Sequence, residues 1–241
     1  MPSPKPFFEE LDFQPTPLGD LVLRRRTVAM LGDLTVHEVM LGDSFLMTSM
    51  FHAVEDAVSD LALRELGGGP CDAVVGGLGL GYTAAAALAY PQVRSLRVVE
   101  FLPPVIDWHR RGLVPLGPRL TADPRCVLAA GDFFALATSP LGFDQARKYH
   151  AILLDIDHTP RDHLASANAG FYTTASLRAM TAHLHPGGVF SMWSDDPPDA
   201  VFVSVLQTVF ATVRAEVITF PNPLLDRDSA GTVYLARTAS A

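Results

Sequence analysis

Cysteine and positive charge are both scarce in this chain, and its apolar stretches are short. The 241 residues include two cysteines, Cys71 and Cys126, far apart and without a cysteine or histidine neighbour at metal-ligand spacing. Both flank expected strands, which argues for reduced, mostly buried thiols and against a disulfide or a cysteine-held metal. Lysine and arginine together number 18 against 26 acids, a formal net charge of -8. That balance argues against binding a nucleic-acid backbone, which needs cationic side chains to displace counterions. It suits a cationic small-molecule partner. No apolar run approaches the roughly 20 residues that cross a bilayer, so no membrane association is expected. The N-terminal MPSPKPFFEELDFQPTP carries prolines and acids where a signal peptide has a basic and then an apolar region. It is expected to be an extended arm on a soluble, cytoplasmic protein.

What the chain does have is apolar residues, 49% of the total against 18% charged. This is too apolar for disorder, and the length suffices for one domain, or one domain with a small appendage. Beyond about residue 70, DAVVGG (72–77), SLRVVE (95–100), RCVLAA (125–130), HAILLD (150–155) and GVFSMW (188–193) read as strands covered on both faces. Helices are expected over 81–90, 103–111, 170–184 and 199–210. Strands alternating with helices imply right-handed crossovers and a mostly parallel sheet. The runs 213–220 and 231–237, joined by PNPLLDRDSA, are expected to pair antiparallel at the sheet edge. Residues 1–50 are assigned to the arm and a β-hairpin appendage turning at Gly32-Asp33, and 51–241 to the main domain, opened by a helix over Phe51–Leu66. Arg24-Arg25-Arg26 reads as part of an edge or solvent-facing strand.

In an open parallel sheet, ligands sit outside the carboxyl ends of the strands, where the strand order reverses. After the first strand stands VVGGLGLGYTAAAALAY (74–90). Gly77, Gly79 and Gly81 allow a sharp turn and close approach of a ligand to the backbone. The GxGxG spacing, tighter than the pyrophosphate-binding form, suits a nucleoside; a purely structural bend is the alternative. Glu100, at the second strand's end, is placed to accept ribose hydroxyls, or to act as a cap. After the third strand, Asp132 and Phe133 can take an exocyclic amine and cover a base, unless Asp132 is only a helix N-cap.

The fourth strand ends in Asp155-Ile156-Asp157-His158, the densest group of ionisable residues at any strand end. Two aspartates and a histidine could hold a divalent metal, but nothing else is placed to complete a shell, and no metal is expected. After the fifth strand, Trp193 and Asp195 could wall a pocket for a cation, or simply belong to a loop and helix cap.

Taken together, these stretches resemble the spermidine synthases, the polyamine aminopropyltransferases, within the class I S-adenosylmethionine-dependent methyltransferase fold. VVEFLPPVIDWHRRGL is similar to that family's Glu-Leu-Asp-x-x-Val-Ile stretch, DPRCVLAAGDFFAL to its Asp-Pro-Arg and Gly-Asp, and YHAILLDIDHTP to its Tyr-Asp-x-Ile-x-x-Asp-x-x-Asp-Pro. The resemblance implies an α/β, Rossmann-like fold with a mostly parallel seven-stranded sheet. It implies a donor, S-adenosylmethionine or its decarboxylated form, whose adenosine is held by Glu100 and Asp132. It implies transfer of an alkyl group, aminopropyl foremost, to an amine, with Asp155 taking the amine's proton and Asp157 and His158 beside it. The acceptor pocket would include Met47, Glu55, Trp193 and Asp195, and the resemblance allows a homodimer.

Two departures bear on the substrate. The family's glycine turn carries an aspartate that holds the donor's ammonium, and Gly79 stands there instead. The family's acidic acceptor segment is replaced by LMTSMFHAVEDAVSD, more apolar at Met47, Met50 and Phe51. Alternatives therefore stay open: a methyltransferase, an aminocarboxypropyl-group enzyme, or a nucleoside-binding protein without catalysis.

Overall fold

The computed structural model describes residues 7–241. It contains two sheets, one of four antiparallel strands and one of seven strands. The smaller is built from β1 (Phe8–Thr16), β2 (Gly19–Val28), β3 (Leu34–Leu41) and β4 (Ser44–Thr48) in that spatial order. The appendage is thus a four-stranded meander rather than a hairpin. Residues 1–6 of the expected arm lie outside the described residues, while Phe8–Thr16 pairs with β2 along its length. Arg24-Arg25-Arg26 lies on β2, an inner strand and not an edge. Arg24 and Arg26 both reach the buried Glu38 on β3, at 2.7 and 2.8 Å, and Arg25 reaches Glu9 on β1 at 2.6 Å. The basic run persists inside the sheet because neighbouring strands supply its counter-charges.

The larger sheet holds β5 (Cys71–Gly76), β6 (Val93–Glu100), β7 (Cys126–Ala130), β8 (Tyr149–Leu154), β9 (Leu184–Ser194), β10 (Thr212–Asn222) and β11 (Arg227–Arg237). Their order is β10-β11-β9-β8-β5-β6-β7, with β10 and β11 antiparallel to their neighbours. Every residue of β5 is buried, as its unbroken apolar run requires. Alternate residues feed two cores. Ala73 and Val75 join the core beneath α1 (Ala53–Leu66), α2 (Tyr82–Leu88) and α3 (Pro103–Arg110). Val74 joins the core beneath α5 (Phe133–Thr138), α6 (Thr174–Thr181) and α7 (Ala200–Gln207). The result is three layers, helix, sheet and helix, with the apolar face of the small sheet (Leu21, Leu23, Val39) added to the first core.

The helices α4 (Gly117–Ala122) and α5 have no counterpart in the sequence expectations. Each is under two turns long, too short to display a helical period. Among the described residues, no helix is long and apolar enough to cross a membrane.

Strand order reverses between β5 and β8, which are parallel neighbours. The chain leaves β5 through Gly76 toward α2 and leaves β8 through Asp155, and Asp155 N–H donates to the Gly76 carbonyl at 2.8 Å. This pair of strand ends, roofed by the small sheet, positions the site.

Candidate active site

A cavity of about 340 Å³ opens over the carboxyl ends of β5, β6, β7 and β8. Gly77, at φ +91°, could carry no side chain, because a Cβ there would collide with the Asp155 carbonyl across the strand-order reversal. Gly79, at φ +46°, lies beneath Met47 of β4, whose Sδ would stand 2.6 Å from an added Cβ. The same sulfur accepts the Leu80 N–H at 3.2 Å. Gly77 and Gly79 line the cavity. Gly81 does not: it precedes α2 and packs on Leu120 and His109. Its place is thus beside the cavity lining, against α3 and α4. His109, from α3, braces the turn by pairing its Nε2 with the Gly79 carbonyl at 2.9 Å.

Glu100 is buried at the end of β6. Its Oε2 accepts the Leu78 N–H at 2.9 Å and its Oε1 the Leu102 N–H at 2.7 Å. Burial raises its carboxyl above the ordinary range, and the backbone donors oppose that shift. It lines the cavity while fixing both the glycine turn and the start of α3. Asp132 is the N-cap of α5, with Oδ1 accepting from Phe134 N–H and Ala135 N–H at 2.9 and 3.1 Å. It also lines the cavity, beside Phe133 and Phe134.

Asp155 stands at the centre. Its Oδ2 accepts the hydroxyl proton of Thr83, in the first turn of α2, at 2.5 Å. Burial pushes its carboxyl up to about 6. Glu55, from the first turn of α1, shares the cavity; burial and then the Asp155 charge push it up to about 8. Two facing carboxyl groups without a cation between them resist losing both protons, so near neutrality the pair retains one.

The remaining expected residues divide. His158 and Trp193 line the cavity. Asp157, expected beside Asp155, does not line it. It is buried, accepting from Leu164 N–H and Asn168 Nδ2 through Oδ1, both at 2.8 Å, and from the Tyr172 hydroxyl through Oδ2 at 2.6 Å. The reason is that the chain ceases to be extended after Leu154, so alternation no longer tells which side chain faces the cavity. Asp195 is exposed outside the lining, its N–H held by the His158 carbonyl at 2.8 Å. From the rim its charge still raises the Glu55 carboxyl. Among the described residues, no three or more His, Cys, Asp or Glu side chains are arranged to hold a metal ion.

Sequence reasoning missed several lining residues. Tyr82 stacks on His52 with centroids 4.0 Å apart. Leu164, Ala165, Ala167 and Asn168 come from the loop after β8. Leu18, Leu21, Val39, Leu41 and Leu46 come from the small sheet. Thr83, outside the lining but bonded to Asp155, stands as a β-branched hydroxyl before a run of alanines.

No family model matches the chain. It is similar to curated proteins that include the following two. One is polyamine aminopropyltransferase 2 of Pseudomonas aeruginosa, 26% identical over 229 residues and 86% of this chain. The other is a polyamine aminopropyltransferase of Sulfolobus acidocaldarius, 25% identical over 219 residues and 89% of this chain. The chain spans 62% and 66% of the length of these relatives. Among solved structures, it superposes on a spermidine synthase in complex with the transition-state analogue AdoDATO, with a TM-score of 0.73 and 15% identity. That match covers 96% of this chain and 74% of the other. It also superposes on spermidine synthase from Thermotoga maritima, with a TM-score of 0.71 at 15% identity, covering 96% and 73% of the two chains. These likenesses establish the fold as the class I methyltransferase-like α/β architecture expected from the sequence.

Proposed function

We infer that the chain is a spermidine-synthase-like transferase that moves an aminopropyl group from decarboxylated S-adenosylmethionine to an amine. One observation carries this reading. Among the described residues, the cavity is lined by Glu55, Glu100, Asp132 and Asp155, with His158, and by no lysine or arginine. Such a surface favours a sulfonium and an amine over a donor that carries a carboxylate. The names of the similar proteins support the same chemistry.

In the reaction, the acceptor nitrogen attacks the carbon next to the donor sulfur. A C–N bond forms, the C–S bond breaks, and its electron pair returns to sulfur to give a neutral thioether. The sulfonium is already a good leaving group, so the protein's work is alignment and proton removal. Asp155 takes the proton that the nitrogen loses. Glu55 and the Trp193 ring wall the approach of a cation, with Asp195 at the rim. Glu100 and Asp132 flank the ribose and base positions on successive strands. The site works within one chain; a homodimer would be compatible with it.

The test is to incubate the full chain with each donor and a panel of amines and to weigh the nucleoside product. Methylthioadenosine from the decarboxylated donor supports the reading. S-Adenosylhomocysteine would replace it with methyl transfer, and binding without turnover would leave a nucleoside-binding protein.

A further inference from the structure

The loop from Asp157 to Tyr172 closes on itself: the two end side chains meet, Tyr172 hydroxyl to Asp157 Oδ2 at 2.6 Å. A compact loop whose ends are held together has the character of an Ω-loop. Within it, Leu164, Ala165, Ala167 and Asn168 form part of the cavity wall. Asn168 is the polar member of this group. Its Nδ2 donates to Asp157 Oδ1 at 2.8 Å. A carboxylate only accepts, so the amide cannot flip without facing its own oxygen toward that of Asp157. No hydrogen bond among the described residues ends on Asn168 Oδ1, and that atom is not among the buried polar atoms without partners.

We propose that Asn168 is a base-reading residue: Asp157 locks its amide so that Oδ1 presents a hydrogen-bond acceptor to the cavity and selects an amino-purine over an oxo-purine. The proposal rests on the nucleoside reading of the cavity. Its second support is that Asn168 lines the same cavity as Asp132, Phe133 and Phe134. Phe171, three residues on, meets Phe134 at a centroid distance of 5.1 Å. Phe134 in turn donates its N–H to Asp132, the other acceptor at this corner. An exocyclic amine has two N–H groups, and Asp132 and Asn168 offer one acceptor each. A 6-oxo base would set its oxygen against both.

Asp157 is accordingly a positioning residue. It acts through Asn168 and through the Leu164 N–H, which it accepts at 2.8 Å.

The experiment is calorimetric titration of the full chain with 5′-methylthioadenosine and with its 6-oxo counterpart, 5′-methylthioinosine. The wild-type chain is expected to prefer the amino nucleoside. Asn168→Ala should weaken the amino nucleoside about tenfold, the worth of one hydrogen bond in a largely desolvated site, and should not weaken the oxo nucleoside, which loses a repulsion. Asp157→Ala frees the amide to flip and offer Nδ2, so it should narrow the preference partly by improving the oxo nucleoside. A purely structural role for Asp157 would weaken both ligands alike. If Asp157→Ala fails to fold, Asn168→Ala decides alone. An amino-to-oxo ratio in Asn168→Ala equal to that of the wild-type chain overturns the proposal and leaves the nucleoside reading standing. Failure of both nucleosides to bind the wild-type chain overturns the two together.

Discussion

Thr83 and Asp155, on different elements, are joined by a hydrogen bond of 2.5 Å from the threonine hydroxyl to the aspartate Oδ2. The bond ties the first turn of α2 to the end of β8 across the strand-order reversal. It also opposes the effect of burial on the Asp155 carboxyl, because it stabilises the ionised form.

Thr83→Val removes that donor without changing the side chain's shape. The Asp155 carboxyl should then rise further, and the acidic limb of the pH–rate profile should move up by about one unit, as for a hydrogen bond of ~1.4 kcal/mol. Activity falls most on the acid side and recovers as pH rises. Nucleoside affinity, measured separately, should change little. A profile with unmoved limbs would show that Asp155 does not take the proton.

Glu55 gives a test by stability alone. Its folded-state carboxyl, at about 8 against an ordinary 4.5, holds a proton that the unfolded chain releases. Its contribution to stability is therefore full below about 4.5 and is lost as pH rises through about 8. Glu55→Gln mimics the protonated group and removes the loss. Thermal melts should show the variant several degrees above the wild-type chain at alkaline pH, and no difference in mild acid. An equal gain at every pH would assign the effect to packing instead.

The sequence expectations succeed and fail for separable reasons. β5 and β8 are legible because both faces are covered and their apolar runs are unbroken. Glu100 and Asp155 are legible because a strand end in a parallel sheet is a known place for ligands. Asp157 lies outside the cavity lining, because proximity in sequence to Asp155 says nothing of direction once the strand has ended. Asn168 and the leucines of the small sheet leave no local trace. Their roles arise from contacts between distant segments, such as Asp157 with Asn168 or Met47 with Leu80. The appendage has four strands where a hairpin is expected because β1, rich in acids and broken by a bulge between Glu10 and Asp12, carries a weak strand signal in sequence.

Glu100 should prove to be a support of the turn as well as a ligand residue. Glu100→Ala leaves the N–H groups of Leu78 and Leu102 without their acceptor, and should lower stability by about 2 kcal/mol in denaturant unfolding. Glu100→Gln keeps one acceptor oxygen and should lose about half as much. Saturating methylthioadenosine should rescue neither variant fully, because the turn that would bind it is the part disturbed. A stable Glu100→Ala chain with weak nucleoside binding would restrict Glu100 to ligand contact.

The bare turn at Gly79 can be tested by restoring an acid. Aspartate tolerates the left-handed backbone at φ +46° better than most side chains, so conformation alone does not forbid Gly79→Asp. Met47 opposes it, since its sulfur would stand 2.6 Å from the new Cβ and must move. Overpacking of this kind costs about 1–3 kcal/mol, so the single substitution should lose stability and weaken the donor. Adding Met47→Ala clears the space. The double variant should recover at least about 1 kcal/mol relative to the sum of the single changes, a coupling that contact between the two positions requires. It should also bind the decarboxylated donor more tightly than the Met47→Ala chain, because the new carboxylate faces an ammonium. Additive losses in the double-mutant cycle would mean that Met47 does not occupy the place of the missing acid, and a gain confined to stability would mean that the donor's ammonium lies elsewhere.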